Sequence, residues 1–259
     1  MTYLAAFLTV ALSGVAAAAA SWAVSHGVTL ELRRRNNDIG VAVFSQIGIM
    51  LSVLLAFVFS QVWSEYRSAA LAISGECAAL HGAAILSSAL PAEQGQPVVR
   101  AIATYAEAVA QSEWPLMAHR QRSRLAEHDL EILLKQAANL RPAGAMEVAT
   151  ESQVISQLAV AHANRETRTF QLTAAAPPLL WLMLIAMSAV LVLFVVFAGV
   201  ERPTHIVFAG VFAASVTMVL VLVRMLDLPF EGALALPNAD FLKLIGQVST
   251  LFPPGAAPT

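Results

Sequence analysis

Charged residues are scarce in this sequence: they make up 12% of the 259 residues, whereas 58% are hydrophobic. Soluble domains usually carry about 25% charged residues, so the deficit indicates a chain that has lipid as its solvent. The net charge is −2, which provides no basic field for nucleic acid, and we expect no nucleic-acid partner. The single cysteine, Cys77, excludes an internal disulfide and a cysteine-rich metal site.

Catalytic motifs are also missing. The sequence has no glycine-rich phosphate loop, no Gly-x-Ser-x-Gly elbow and no His-Glu-x-x-His zinc motif. His128 and Glu131 are spaced as in carboxylate metal bundles, but no second pair of that kind accompanies them, and with His119 they favour a solvated charged helix face. We therefore expect no catalytic residue, no metal site and no cofactor. An enzyme acting on lipid or envelope substrates is the least favoured function.

Four segments are apolar over the roughly 20 residues that a helix needs to cross a bilayer. They are residues 3–24, 40–63, 178–200 and 205–226. No Lys or Arg precedes the first segment, so it lacks the basic start of a signal peptide and we interpret it as a retained helix. The sequence thus predicts a multi-pass membrane protein, with the lipid bilayer as its first partner.

Basic residues in the short loops predict the orientation of these spans. Arg33, Arg34 and Arg35 follow the first span, and Arg202 lies between the last two. Both loops are expected on the cytoplasmic side. The N-terminus, the middle domain and the C-terminus are then expected on the outer side.

The predicted fold is all-α, with four transmembrane helices in two pairs and an extramembrane helical bundle inserted between the pairs. In the bundle, Ile102, Tyr105 and Val109 recur at helical spacing and predict a core face. The expected domains are 1–63 (first pair with its basic loop), 64–176 (helical domain), 177–227 (second pair) and 228–259 (C-terminal tail).

Helix boundaries within the domain follow from its breakers. Residues 64–90 contain no Gly-Pro break and are expected to extend the second span as one long helix, followed by a turn at 93–97. Further helices are expected at 97–110, 123–139 and 143–175. In the tail we expect a short strand or extended edge at 230–236, an amphipathic helix at 239–251, and disorder from residue 253.

One face of the second span is a candidate pore lining. Five residues of this span form one stripe along the helix, which is polar at both ends and apolar in the middle: Gln46, Met50, Val53, Phe57 and Gln61. Around an axis shared by several subunits, they would form an apolar constriction with an amide ring at each mouth, and such constrictions gate by dewetting. The alternative is that this stripe packs against neighbouring helices of the same chain.

A second stripe on the same span is small and weakly polar, and consists of Ser45, Ser52, Ala56 and Ser60. Small residues permit close helix approach in lipid, so packing is the favoured role. If this stripe faces the pore instead, the lining is hydrophilic. Near the end of the fourth span, Arg224 and Asp227 are three residues apart. We expect a structural ion pair there, because ionisable groups at membrane depth tend to pair.

Several short motifs follow one another in a recognisable order along nearly the whole chain. They are Asn37-Asp38 with Gly40, Leu54-Leu55-Ala56-Phe57, Trp63-Ser64-Glu65-Tyr66, Glu76, Tyr105, Glu113-Trp114-Pro115, Arg165 and Arg168, Pro178-Leu179 with Trp181, and Leu226-Asp227-Leu228-Pro229-Phe230 with Gly232. Together they resemble a bacterial and plant family of unknown function that is known as bestrophin-like. The resemblance implies that the spans lie in a bacterial inner (plasma) membrane.

The resemblance implies more than the composition does. Bestrophins are pentameric chloride channels with a cytosolic helical domain and an apolar neck on their second helix, so the resemblance places the neck at Val53 and Phe57. It also implies a cytosolic middle domain, whereas the arginine loops place this domain outside. It draws attention to Glu76, which we expect to pair with Arg165 or Arg168, either as a structural clamp or as part of an ion-binding vestibule.

Two functions remain in competition. The first is a homo-oligomeric ion channel, anion-conducting and, by the resemblance, pentameric, whose partners are small inorganic ions. The second is a non-conducting membrane scaffold or sensor whose outer helical domain binds a partner. The stripe on the second span separates them, because a channel needs it on a shared axis and a scaffold needs it buried within the chain.

Overall fold

The computed structural model describes residues 1–29, 31, 33, 37–141, 143–198 and 202–251, with the backbone alone at 37–39, 202 and 203. Within these residues the secondary structure is helical, with no strand. The chain is an all-α membrane protein, and four of its described helices are long and apolar enough to cross a bilayer. The chain divides into two compact units.

The membrane unit comprises Met1–Ser64, Ala175–Leu228 and Gly232–Leu234. It contains helix α1 (Tyr3–Gly27), the first part of α2 (Asn37–Ser88), α7 (Pro178–Phe197) and α8 (Arg202–Leu226). Thr2 caps α1 by accepting a hydrogen bond from the amide of Ala5, and α7 begins at Pro178, where a missing N–H costs nothing.

Helices α1 and α8 pack closely because both are narrow where they meet. A methyl group at Gly14 would lie 3.1 Å from the carbonyl oxygen of Gly210, and one at Gly210 would lie 3.0 Å from the carbonyl oxygen of Gly14. Close backbone approach through small residues is the usual way in which helices associate in lipid, where no hydrophobic effect drives them together.

The extramembrane unit comprises Glu65–Ala174, Pro229–Glu231 and the C-terminal part from Ala235, of which residues up to 251 are described. It contains the rest of α2, then α3 (Ala92–Ala108), a π-helical turn (Val109–Glu113), α4 (Trp114–Met117), α5 (Arg124–Ala138), α6 (Ala145–Phe170) and α9 (Ala239–Leu251). Its core is fully buried and includes Leu80, Ile102, Leu133, Leu158 and Leu244.

Two local predictions are wrong. The turn expected at 93–97 is part of α3, which begins at Ala92. Pro97 has no N–H to donate to the carbonyl of Glu93. Because both residues are exposed, this carbonyl can face water instead. The strand expected at 230–236 is a 3-10 turn, Gly232–Leu234, with Gly232 at φ +79°. The described residues offer no neighbouring strand to pair with it.

The remaining boundaries differ by a few residues at helix ends. The long helix expected from the second span onward is continuous to Ser88, and α9 occupies the predicted 239–251. Residue 200, the predicted end of the third span, lies outside the described residues, as do residues 253–259, for which disorder was expected.

Candidate functional site

Helix α2 has an open face in its apolar part. All five predicted pore-lining residues, Gln46, Met50, Val53, Phe57 and Gln61, are exposed on the chain. The three apolar members are 62%, 66% and 65% exposed for Met50, Val53 and Phe57. The stripe is therefore available to lipid or to another subunit, and it is not packed against helices of its own chain.

A separate face of α2, about 120° around the helix from this stripe, is buried. Leu51, Val58 and Val62 are 5%, 2% and 1% exposed, and they recur at spacings of seven and four residues, which places them on one side of the helix. This packed side fixes the rotation of α2 within the chain. As a consequence, the stripe through Val53 and Phe57 is presented outward.

The second stripe is exposed as well, since Ser45, Ser52, Ala56 and Ser60 all lie at the surface of the chain. Two of its hydroxyls are already used within the helix: Ser45 donates to the carbonyl of Val41 over 2.9 Å, and Ser52 donates to that of Gly48 over 2.8 Å. This back-bonding leaves fewer free donors than the sequence suggests. Exposure alone does not choose between the two stripes.

The extramembrane unit contains a buried network of charges. Arg168 on α6 donates from Nε to Glu76 on α2 over 2.8 Å, and from Nη2 to the other oxygen of Glu76 over 3.2 Å. The side chains of Arg168 and Glu76 are both 0% exposed. Such two-pronged geometry is the strong form of the arginine–carboxylate pair.

Glu113 joins this network from the π-helical turn. Its carboxylate accepts hydrogen bonds from Arg168 Nη2 over 2.9 Å and from Arg165 Nη2 over 2.6 Å. Among the described residues the ion pair of Arg165 is therefore with Glu113, and that of Arg168 is with both glutamates. The network holds two carboxylates and two guanidinium groups, so that its charges balance without an added ion.

Aromatic and sulfur atoms enclose the guanidinium of Arg168. It lies 5.8 Å from the ring centre of Trp114 and 5.4 Å from that of Phe241, and it donates to the sulfur of Met117 over 3.0 Å. Burial alone would lower the pKa of Arg168, but the charge and hydrogen bonds of Glu76 raise it above its ordinary value. The group stays charged, and cation–π contact adds to its stabilisation.

Tyr105 completes the network by donating a hydrogen bond from its hydroxyl to Glu76. Burial, together with the negative charge of Glu76, raises the pKa of Tyr105 well above its usual value. The phenol is therefore a neutral donor at physiological pH. The arrangement joins α2, α3, the π-helical turn and α6 through fully satisfied carboxylates, which fits a structural clamp better than an open binding site.

At the end of the fourth span, Asp227 is the centre of a second cluster. Its side chain is fully buried and accepts hydrogen bonds from Arg224 over 2.9 Å, from the amide of Ala176 over 2.8 Å and from the indole of Trp181 over 3.3 Å. Arg224 also lies 5.8 Å above the ring of Trp181. The cluster ties the end of α8 to the start of α7.

The remaining candidates are the metal-ligating side chains and the single cysteine. Among the residues that the structure describes, no three His, Cys, Asp or Glu side chains come together as a metal site. Cys77 is free and buried. Two partnerships were not foreseen from the sequence, namely the role of Glu113 between both arginines and that of Tyr105 on Glu76. Both residues stand among the short motifs that carry the family resemblance, and this was the available signal.

Comparison with known proteins agrees with this architecture. The Bestrophin-like domain family matches residues 11–241. Among solved structures, a bacterial Bestrophin homolog from Klebsiella pneumoniae, phased by Zn-SAD, has a TM-score of 0.72 at 18% identity over 96% of this chain and 97% of that one. The same homolog with a D269A mutation has a TM-score of 0.72 at 17% identity, over 96% and 98% of the two chains.

These structures define the class as membrane proteins with the bestrophin fold. Since the family match spans most of the sequence, the chain belongs to the bestrophin-like family. No curated protein matches it in sequence.

Proposed function

We propose that the chain is one subunit of a homo-oligomeric ion channel that conducts anions through a pore lined by α2. Membership of the bestrophin-like family and the fold of the bacterial bestrophin homolog support this proposal. The observation that carries it is the outward stripe of α2, in which Val53 and Phe57 are 66% and 65% exposed while the face of Leu51, Val58 and Val62 is packed. The subunit number, five, rests on the resemblance to bestrophins.

The stripe has the composition of a gated neck. Met50, Val53 and Phe57 would form apolar rings, and a narrow apolar ring excludes water until it widens. Gln46 and Gln61 would place amide groups at the two mouths, where their N–H groups can donate to an anion. None of these residues carries a negative charge, so the lining does not repel anions.

Anion flux into liposomes tests this function. Phe57→Ala removes the only aromatic ring of the stripe, which should widen the proposed neck and raise chloride flux several-fold. Phe7→Ala is the matched control, because Phe7 on α1 is 70% exposed and lies outside the stripe; its flux should equal that of the unchanged protein. Equal flux in both variants, or flux no greater than in empty liposomes, would contradict the proposal.

The scaffold is the second candidate, and exposed apolar side chains on α6 favour it. Val148 and Ile155, seven residues apart and therefore on one face of α6, are 51% and 44% exposed, and exposed apolar surface can mark a protein contact. Liposomes that contain a folded, homogeneous oligomer yet show no flux with any anion or with Phe57→Ala would support this function.

The orientation belongs to the same proposal. We infer from the arginine loops that the extramembrane unit faces away from the cytoplasm. With Cys77 replaced by alanine, Ser152→Cys introduces a single thiol at an exposed position on α6. In intact spheroplasts a membrane-impermeant maleimide should label it. Labelling only after lysis would invert the orientation and agree with the cytosolic domain of bestrophins.

A further inference from the structure

The membrane unit contains a cavity of about 380 Å³ between the start of α2, the end of α7 and the start of α8. Cavities of roughly 300–1,000 Å³ with mainly apolar walls are the usual size for small-molecule sites. Three helices contribute apolar walls, and the side chains that matter most are Val41 and Phe44 of α2, Phe194 and Val195 of α7, and Phe208 of α8.

The cavity opens at the apolar surface of the spans. Three of its lining residues, Val41, Phe197 and Phe208, are 55%, 50% and 62% exposed. In a bilayer, such surface is bathed by acyl chains. Apolar cavities do not hold water stably, and an unfilled wall loses its dispersion contacts, so an alkyl chain from the surrounding lipid is the natural filling.

One end of the cavity is polar and basic. Arg33 is buried there and donates from Nε to the carbonyl of Phe197 over 3.4 Å and from Nη2 to that of Ala198. His205, also buried, lies with Nε2 3.0 Å from the carbonyl of Val196. Both side chains satisfy the last carbonyls of α7, and the guanidinium brings a positive charge to this end.

From this amphipathic lining we propose a binding site for an anionic phospholipid. One acyl chain fills the aromatic cavity, and the phosphate lies at the end marked by Arg33. Basic pockets between transmembrane helices are a known means of holding anionic headgroups. The site does not depend on conduction, so its test and that of the channel can fail separately.

Gly40 offers a way to fill the cavity with little other change. A β-carbon at Gly40 would lie 3.9 Å from the ring of Phe194, so that Gly40→Leu directs its side chain into the cavity. Gly48, two turns further along α2, has nothing within 4 Å of such a β-carbon. Gly48→Leu therefore adds the same side chain to the same helix outside the cavity.

Native mass spectrometry of protein purified in detergent measures the bound lipid. Phosphatidylglycerol and phosphatidylcholine with identical acyl chains are titrated against the unchanged protein, Gly40→Leu and Gly48→Leu. We expect phosphatidylglycerol to bind the unchanged protein and Gly48→Leu equally, and Gly40→Leu at least ten-fold more weakly. Phosphatidylcholine should bind the unchanged protein more weakly than phosphatidylglycerol.

Three results would overturn the assignment: no lipid retained by the unchanged protein, equal affinity in Gly40→Leu, or equal affinity for both headgroups. A cavity covered by a neighbouring subunit would give the first. If Gly40→Leu does not fold, Phe44→Trp replaces it, since the larger ring also occupies cavity volume, and Phe7→Ala serves as its control for a changed aromatic residue outside the cavity. Unaltered binding in Phe44→Trp would equally contradict the site.

Discussion

Arg168 donates from Nε to Glu76 over 2.8 Å, and neither side chain is exposed to solvent. The two residues are 92 positions apart in sequence, so their pairing holds α6 against α2. Taking two charges out of water is costly, and here the cost is offset by Glu113, Tyr105 and the aromatic rings around the guanidinium. We therefore expect the extramembrane unit to lose stability when any one member of the network is removed.

Removing Glu76 should destabilise the unit strongly. Glu76→Ala leaves the guanidinium of Arg168 with one carboxylate in place of two, and breaking a buried pair typically costs about 3–5 kcal/mol. Glu131→Ala is the control, because Glu131 pairs with Lys135 where the side chains are 59% and 73% exposed, and surface pairs contribute little. Thermal unfolding in detergent compares the variants. Similar losses in both would show that the buried pair is not a clamp.

The stability of the protein at high pH should report on Tyr105. Its pKa is raised in the folded state, so the native phenol keeps its proton where the unfolded one, with a pKa of about 10, loses it. The contribution of Tyr105 to the free energy of unfolding is therefore complete below about pH 10 and declines above it. Tyr105→Phe should melt lower at pH 7–9 by a constant amount, because a buried hydrogen bond to a carboxylate contributes about 1.5–3 kcal/mol.

Above pH 10 the melting temperatures of the unchanged protein and Tyr105→Phe should converge. Absorbance of ionised tyrosine at high pH provides a second reading, since the phenolate signal of Tyr105 should appear only with unfolding. A difference in melting temperature that already shrinks between pH 7 and 9 would show that Tyr105 titrates near its ordinary pKa.

Gly95 should not tolerate alanine. An added methyl group would overlap the carbonyl oxygen of Ser87, a backbone atom that cannot easily move, and overpacking of this kind costs about 1–3 kcal/mol. In α9, a methyl group on Gly246 meets nothing within 4 Å, so Gly246→Ala should be neutral or stabilising, since alanine favours helix. The melting temperature of Gly95→Ala should fall and that of Gly246→Ala should stay the same or rise; an unchanged or raised melting temperature of Gly95→Ala would contradict the close approach at Gly95.

Cysteine accessibility should separate the two stripes of α2. In a Cys77→Ala background, Val53→Cys and Ser52→Cys place thiols at neighbouring exposed positions about 100° apart around the helix. A charged thiol reagent should block current through Val53→Cys and leave Ser52→Cys unaffected. The reverse result would assign the pore to the stripe of Ser45, Ser52, Ala56 and Ser60 and make its lining hydrophilic.

The spans could be predicted because length and apolar composition alone define them. Local turn chemistry was less reliable: the Gly95–Pro97 stretch suggested a turn, yet Gly95 allows α3 to pass close to Ser87. The position of Glu113 depends on a π-helical turn, which shifts the helical phase and cannot be derived from a regular 3.6-residue period. Pairing of Glu76 could be anticipated from its place on the continuous α2, but not the sharing of Arg168 between two glutamates.

A cryo-electron-microscopy map of the protein in nanodiscs tests the channel proposal most directly, because the pore requires several copies of α2 around one axis. The account predicts a closed ring of subunits in which Val53 and Phe57 face a central axis, with Gln46 and Gln61 at either end of a continuous path. A monomer or dimer, or a ring whose axis is lined by another helix, would contradict it.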